Sequence, residues 1–215
     1  MSREQILERI RAALGDVPGR AGQVAELVLS GLPTLPTPQV FADPVGMFVE
    51  RARQLSMTAE VVASMDDAAA HAAVWCAGRA VRRAAVWDDA DVQTVVDRIR
   101  AAGVEILAPG SPLDALAAAD IGITGAEWGI AETATLVLST DPGRPRLTSL
   151  LPPAHVAILR ADRILPDLPA LFARCGVLPS ALTLVTGPSR SADIGFVPVL
   201  GAHGPMAVAV FVIAN

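Results

Sequence analysis

Residues 121–139 read IGITGAEWGIAETATLVLS. Two apolar runs, Ile121–Thr124 and Thr135–Ser139, flank a glycine-rich stretch. Neither run alternates with polar residues, so both read as strands buried on two faces, the kind found in parallel sheets covered by helices. Gly122, Gly125 and Gly129 punctuate the segment. In open α/β sheets ligands sit beyond the carboxyl ends of strands, and glycine there lets backbone N–H groups approach an anion. The spacing is not GxGxxG, so no dinucleotide fingerprint is present. The segment serves either as a plain turn or as a ligand loop.

The same alternation extends outward in both directions. Upstream, Asp43-Pro44 starts a helix carrying Met47, Phe48, Ala52 and Leu55, because proline at the first helical position forfeits no hydrogen bond. Strands are expected at 60–63, 84–87 and 104–107, with helices over 66–78, 91–102 and 112–118 between them. Downstream, strands are expected at 156–159, 182–186, 197–200 and 207–213, the last two joined through GAHGP as an antiparallel pair. Strands alternating with ten-residue helices predict a three-layer α/β/α fold with a mostly parallel sheet. Ahead of it, Ser2 caps a helix to about Leu14 with Ile6, Ile10 and Leu14 on one stripe, and LPTLPTPQ ends an extended linker. The expected organisation is an N-terminal helix and proline-rich linker over 1–42 and an α/β domain over 43–215.

Composition narrows the function. Hydrophobic residues make up 52% of 215, enough for a sizeable core. Lysine is absent, the net charge is -5, and no basic run offsets it, which argues against nucleic acid as a partner. The opening MSREQILERIRAALG has no apolar h-region, and no uncharged run approaches the roughly 20 residues of a membrane span, so a cytoplasmic location is expected. Cys76 and Cys175 stand alone, with no CxxC and no His/Cys pair at metal spacing. No metal site and no iron–sulfur cluster is expected in this chain.

Three further segments can carry chemistry. Arg144 and Arg146 precede Thr148 and Ser149 in RPRLTSLLPPAH, and guanidinium forks suit carboxylate or phosphate. His155 closes that segment at the start of a buried strand, as a core residue or a catalyst. TGPSRSAD brings Gly187, Ser189, Arg190, Ser191 and Asp193 just after a strand, where N–H groups and hydroxyls can meet an anion or simply cap. His203 lies between glycines in GAHGP and is expected to be exposed. In the first segment, Glu132 sits among IAETATLVL; a carboxylate in an apolar setting must be paired or raised in pKa, which suits a base or nucleophile. Gly125, Glu127 and Thr133 complete the candidate ligand-binding set.

GITGAEWGIAETATLVL, RLTSLLPPAHVAIL, TGPSRSADI and VLGAHGP resemble, in this order, the motifs of the LUD-domain family, in its lactate-utilization protein C branch. The likeness covers roughly residues 43–215. It implies a fold similar to the ribose-phosphate isomerase, glucosamine-phosphate deaminase and CoA-transferase superfamily. It also implies a role in oxidation of L-lactate to pyruvate beside partner subunits that hold iron–sulfur clusters. Two positions depart from the family: Ala134 replaces a usual glycine, and Gly195 stands where an acidic residue is common. A stand-alone enzyme or binding protein for an anionic metabolite (acyl-CoA, sugar phosphate or folate), with Glu132 as catalytic carboxylate by fold-level analogy, is the alternative.

Overall fold

Asp43 starts the first helix of the main unit as its sequence predicts: the carboxylate accepts from Gly46 N at 2.8 Å, and Pro44 occupies the first turn. The computed structural model describes residues 2–14, 37–175, 179, 181–191, 199–200 and 203–214. The chain divides into two units, Met1–Pro36 and Thr37–Asn215. In the first, α1 (Arg3–Leu14) is capped reciprocally: Ser2 Oγ accepts from Gln5 N at 3.3 Å, and Ser2 N donates to Gln5 Oε1 at 2.9 Å. Ile6 on this helix is exposed.

The second unit runs α2 (Pro44–Gln54), β1 (Thr58–Val62), α3 (Met65–Ala77), β2 (Arg83–Val86), α4 (Ala90–Ala101), β3 (Glu105–Leu107), α5 (Leu113–Ala117) and β4 (Ile121–Gly125). It continues with β5 (Trp128–Ile130), β6 (Thr135–Ser139), α6 (Leu147–Leu150), β7 (Ala154–Arg160), β8 (Ile164–Leu165), α7 (Leu168–Arg174), β9 (Leu182–Val185), β10 (Arg190–Ser191), β11 (Val199–Leu200) and β12 (Ala207–Ile213). Six strands form the central sheet in the order β1-β12-β7-β4-β2-β3, and every neighbouring pair is parallel. β4 and β12 sit inside this sheet with both faces covered, which is why their sequences carry no polar alternation.

One face of the sheet packs Ile123, Val156 and Phe211 against Val95 and Ile99 of α4 and Ala72 of α3. The other packs Ala157, Leu159 and Val210 against Phe48 and Ala52 of α2 and Leu136 and Leu138 of β6. Burying each of the larger side chains contributes about 2 kcal/mol. The helices on both faces follow the expected α/β/α arrangement. A four-stranded sheet, β8-β5-β6-β9, also covers the second face, and α7 closes over its outer side through Leu171. Gly129 lets the two sheets meet: a Cβ there would lie 2.7 Å from Leu159 Cδ2 and 3.2 Å from Phe48.

The expected antiparallel pairing of the last two strands is corrected. β12 enters the central sheet parallel to both β1 and β7, while β11 pairs antiparallel with β10. An apolar strand of seven residues buries more surface between two strands than at the edge of a hairpin. Of the strand expected at 197–200, the described part is Val199–Leu200.

Candidate functional site

The residues that close one motif after another lie at the amino ends of β1, β7 and β12. Leu55 precedes β1, Ser149 and Leu150 belong to the helix before β7, and His203–Pro205 lead into β12. With Thr183–Arg190 they enclose a cavity of about 370 Å³. α6 reaches this position because β4 carries Gly122, whose missing Cβ would stand 1.8 Å from Thr148 O. Thr148 and Ser149 are buried, and Ser149 Oγ donates to Arg146 O at 3.1 Å.

Arg190 is exposed at the cavity and is oriented from across it. Its Nη2 donates to Leu55 O at 3.0 Å and to Ser56 Oγ at 2.9 Å. Gly187, at φ 81°, lets the loop approach Leu55, and a Cβ there would fall 3.3 Å from Leu55 Cβ. Ser189 N donates to Pro205 O at 2.8 Å, and His203 N donates to Ser189 Oγ at 3.3 Å. Gly187, Ser189, Arg190, Ser149 and His203 are therefore gathered, and His203 is exposed as its sequence context predicts. For Ser191 the strand position alone is described, and Asp193 lies outside the described residues, as does Gly195. Arg146 is exposed at the start of α6 and is not among the residues lining the cavity.

A chain of three hydroxyls runs along one side. Thr133 Oγ1 and Thr135 Oγ1 are 2.7 Å apart, as are Thr135 Oγ1 and Thr186 Oγ1. Thr135 is buried, and Thr186 lines the cavity. The turn at Ala134, with φ 51°, joins the two residues of the first pair. An L-residue in this conformation costs about 1 kcal/mol relative to glycine. Ser56, with φ 65°, is a second non-glycine residue in this region of conformational space, and it holds Arg190. Strained backbone of this kind concentrates at functional sites.

The carboxyl ends of the central strands hold a different set. Gly125 faces Asp89, with 3.3 Å between its ideal Cβ position and Asp89 Oδ2. Asp89 is engaged by Arg144 Nε at 3.1 Å and caps α4 through Asp91 N at 2.9 Å. Arg144 is thus committed to Asp89, and to Asp141 at 3.6 Å, at the far end of the sheet from Arg190. Glu127 is half-buried and accepts a short hydrogen bond from Ser139 Oγ.

Glu132 requires a correction. The apolar setting expected from its neighbours in sequence does not exist: Glu132 is exposed on the turn between β5 and β6, where Oε1 accepts from Gln39 Nε2 at 3.2 Å. The flanking apolar residues point into the core while the turn projects Glu132 outward, and it is not among the residues lining the cavity. His155 is fully buried. Its Nε2 is 2.8 Å from Thr124 Oγ1, and its Nδ1 has no partner. Burial pulls its pKa down to about 4, so the ring is neutral near pH 7. Leu55, Ser56, Thr135 and Thr186 complete the site without having been singled out by sequence. Only the pairing of β6 with β9 makes Thr135 and Thr186 neighbours, and nothing in LSM at 55–57 signals a contact with Arg190.

No residue set here suits an iron–sulfur cluster, which takes several thiolates. Cys76 and Cys175 are both free, and burial pushes the Cys76 thiol up to about 11, with Arg79 drawing it partly back. Among the described residues no group of three or more His, Cys, Asp or Glu could hold a metal ion, and no helix is long and apolar enough to cross a membrane.

Known proteins add to this geometry. Lactate utilization protein C of an Exiguobacterium species is 39% identical over 97 residues, covering 42% of each chain. The protein of the same name from Halalkalibacterium halodurans is 39% identical over 104 residues, covering 45% of each. These alignments span less than half the length of the curated relatives. The crystal structure of a DUF162 family protein from Deinococcus radiodurans superposes with a TM-score of 0.57 at 26% identity, covering 82% of this chain and 99% of that one. The LUD domain matches residues 45–213, and the chain belongs to the LUD-domain family.

Proposed function

We propose that this chain is a cytoplasmic component of a bacterial lactate-utilization system, supporting oxidation of L-lactate to pyruvate beside partner subunits that hold iron–sulfur clusters. The observation that carries the reading is the convergence of three motif segments on one cavity: Ser149 from the first, Gly187 to Arg190 from the second, and His203 from the third. The name shared by the curated relatives supports the lactate role. Lactate oxidation releases two electrons and two protons per molecule, and a chain with two separated cysteines is in keeping with iron–sulfur ligation supplied by partner subunits. This chain would contribute ligand positioning through the guanidinium of Arg190 and the hydroxyl of Ser189.

Anaerobic purification of the tagged chain from lactate-grown cells tests the proposal. Co-elution with proteins containing iron and acid-labile sulfide is expected. A chain that elutes alone, from cells whose lactate oxidation is unchanged when it is deleted, would overturn the assignment.

A further inference from the structure

We infer that the cavity at the amino ends of the sheet takes a monocarboxylate whose body is larger and more apolar than that of lactate. The inference rests on the reading that this cavity is the functional site. Charge sets the head group. Among the described lining residues the guanidinium is that of Arg190, and no carboxylate is present. Both Nη2 protons are committed to Leu55 O and Ser56 Oγ, which leaves the Nε and Nη1 donors for a ligand. A single guanidinium balances one carboxylate, whereas a phosphate monoester carries about half to one further negative charge and three acceptor oxygens. Ser189 Oγ already accepts from His203 N, so its own proton is free to donate to the same carboxylate.

Volume and polarity set the body. The cavity measures about 370 Å³, within the roughly 300–1,000 Å³ that encloses an organic ligand of moderate size. A water molecule's share of liquid volume is about 30 Å³, and lactate displaces only a few such volumes. The remaining wall is mixed: Ser149, Thr183 and Thr186 give it polar groups, while Leu55, Leu150 and Val185, all half-buried, and Leu184 on β9, 43% exposed, give it an apolar part. An exposed leucine beside a cation suits a ligand with a charged head and an aliphatic arm. Each methylene buried there should tighten binding roughly fourfold.

Calorimetric titration of the full chain with L-lactate, 2-hydroxyhexanoate, 1-hexanol and inorganic phosphate tests the inference. The expected result is that 2-hydroxyhexanoate binds at least about tenfold more tightly than lactate, while 1-hexanol and phosphate do not bind. Arg190→Gln should weaken both acids about tenfold or more. Leu184→Asn, on an exposed rim position, should bring the affinities of the two acids closer together; melting curves of both variants verify their fold. Equal binding of the two acids, preferential binding of phosphate, or no acid binding by the folded chain would overturn the inference. A flat titration panel together with loss of lactate growth on gene deletion would retire this ligand class and leave the proposed cellular role standing.

Discussion

Replacing Gly122 with alanine puts one methyl group where α6 crosses β4. The added Cβ would stand 1.8 Å from Thr148 O and 2.9 Å from Thr148 C. Ordinary contact needs about 3.4 Å or more, so the backbone of α6 must retreat by roughly 1.5 Å or β4 must distort. Both elements are held: β4 pairs with β2 on one side and β7 on the other, and Trp87 Nε1 fixes the segment before α6 through Pro145 O at 3.1 Å. Overpacking of a well-packed interior costs about 1–3 kcal/mol, and a clash with backbone belongs at or above the upper end. For a chain of this size about 3 kcal/mol lowers Tm by roughly 6–12 °C. Gly103→Ala is the matched control. Gly103 has φ 92° with nothing within 4 Å of an added Cβ, so it should cost only about 1 kcal/mol through conformation. Differential scanning calorimetry of the two variants separates steric from conformational cost. A Gly122→Ala protein that melts within about 2 °C of the parent would refute the placement of α6 on the sheet.

Other expected outcomes follow from single contacts. His155 is held neutral in the fold with a pKa of about 4, whereas the unfolded chain takes up that proton near 6.5. The unfolded state therefore binds more protons as pH falls through this window, so the contribution is fully present above about pH 6.5 and about 3 kcal/mol is lost by about pH 4. His155→Leu should flatten that part of the pH dependence in urea melts at about pH 7 and about pH 4; an unchanged slope would show that the ring is not held neutral. Asp167 is buried and accepts from Gln39 N at 2.5 Å and Ala170 N at 2.9 Å, so Asp167→Ala should cost about 2 kcal/mol and raise amide exchange at Gln39. Exchange at Gln39 equal to that of the parent would remove this tie. Thr135→Val cuts the hydroxyl chain between Thr133 and Thr186 and should cost about 1 kcal/mol, read from the urea midpoint.

The central layers were legible because β4, β7 and β12 are apolar along nearly their whole length, and because Asp43-Pro44 is a strong local start signal. β5 was not legible: three residues centred on Gly129 show neither a run nor an alternation, and its strand character comes from pairing with β6 and β8. The position of β12 between β7 and β1 is a long-range pairing that no local pattern encodes. Ser149, Gly187, Ser189, Arg190 and His203 gather at one cavity, but not at the strand ends where their sequence context would place a site. Strand-end reasoning favours the carboxyl ends, but that crevice is occupied by the pair Asp89–Arg144, whereas RLTSLLPP and the described part of the last motif, His203–Pro205, each precede their strand and meet at the amino ends. Glu132 misled for a related reason: apolar neighbours in sequence describe the strands around a turn and not the turn itself.

Growth on L-lactate as sole carbon source, in a strain deleted for this gene and complemented by plasmid, tests the central claim most directly. Deletion should abolish growth, the parent gene should restore it, and Arg190→Gln, expressed at the same level with an unchanged melting curve, should not. Normal growth of the deletion strain, or full rescue by Arg190→Gln, would contradict a lactate role exercised through this cavity.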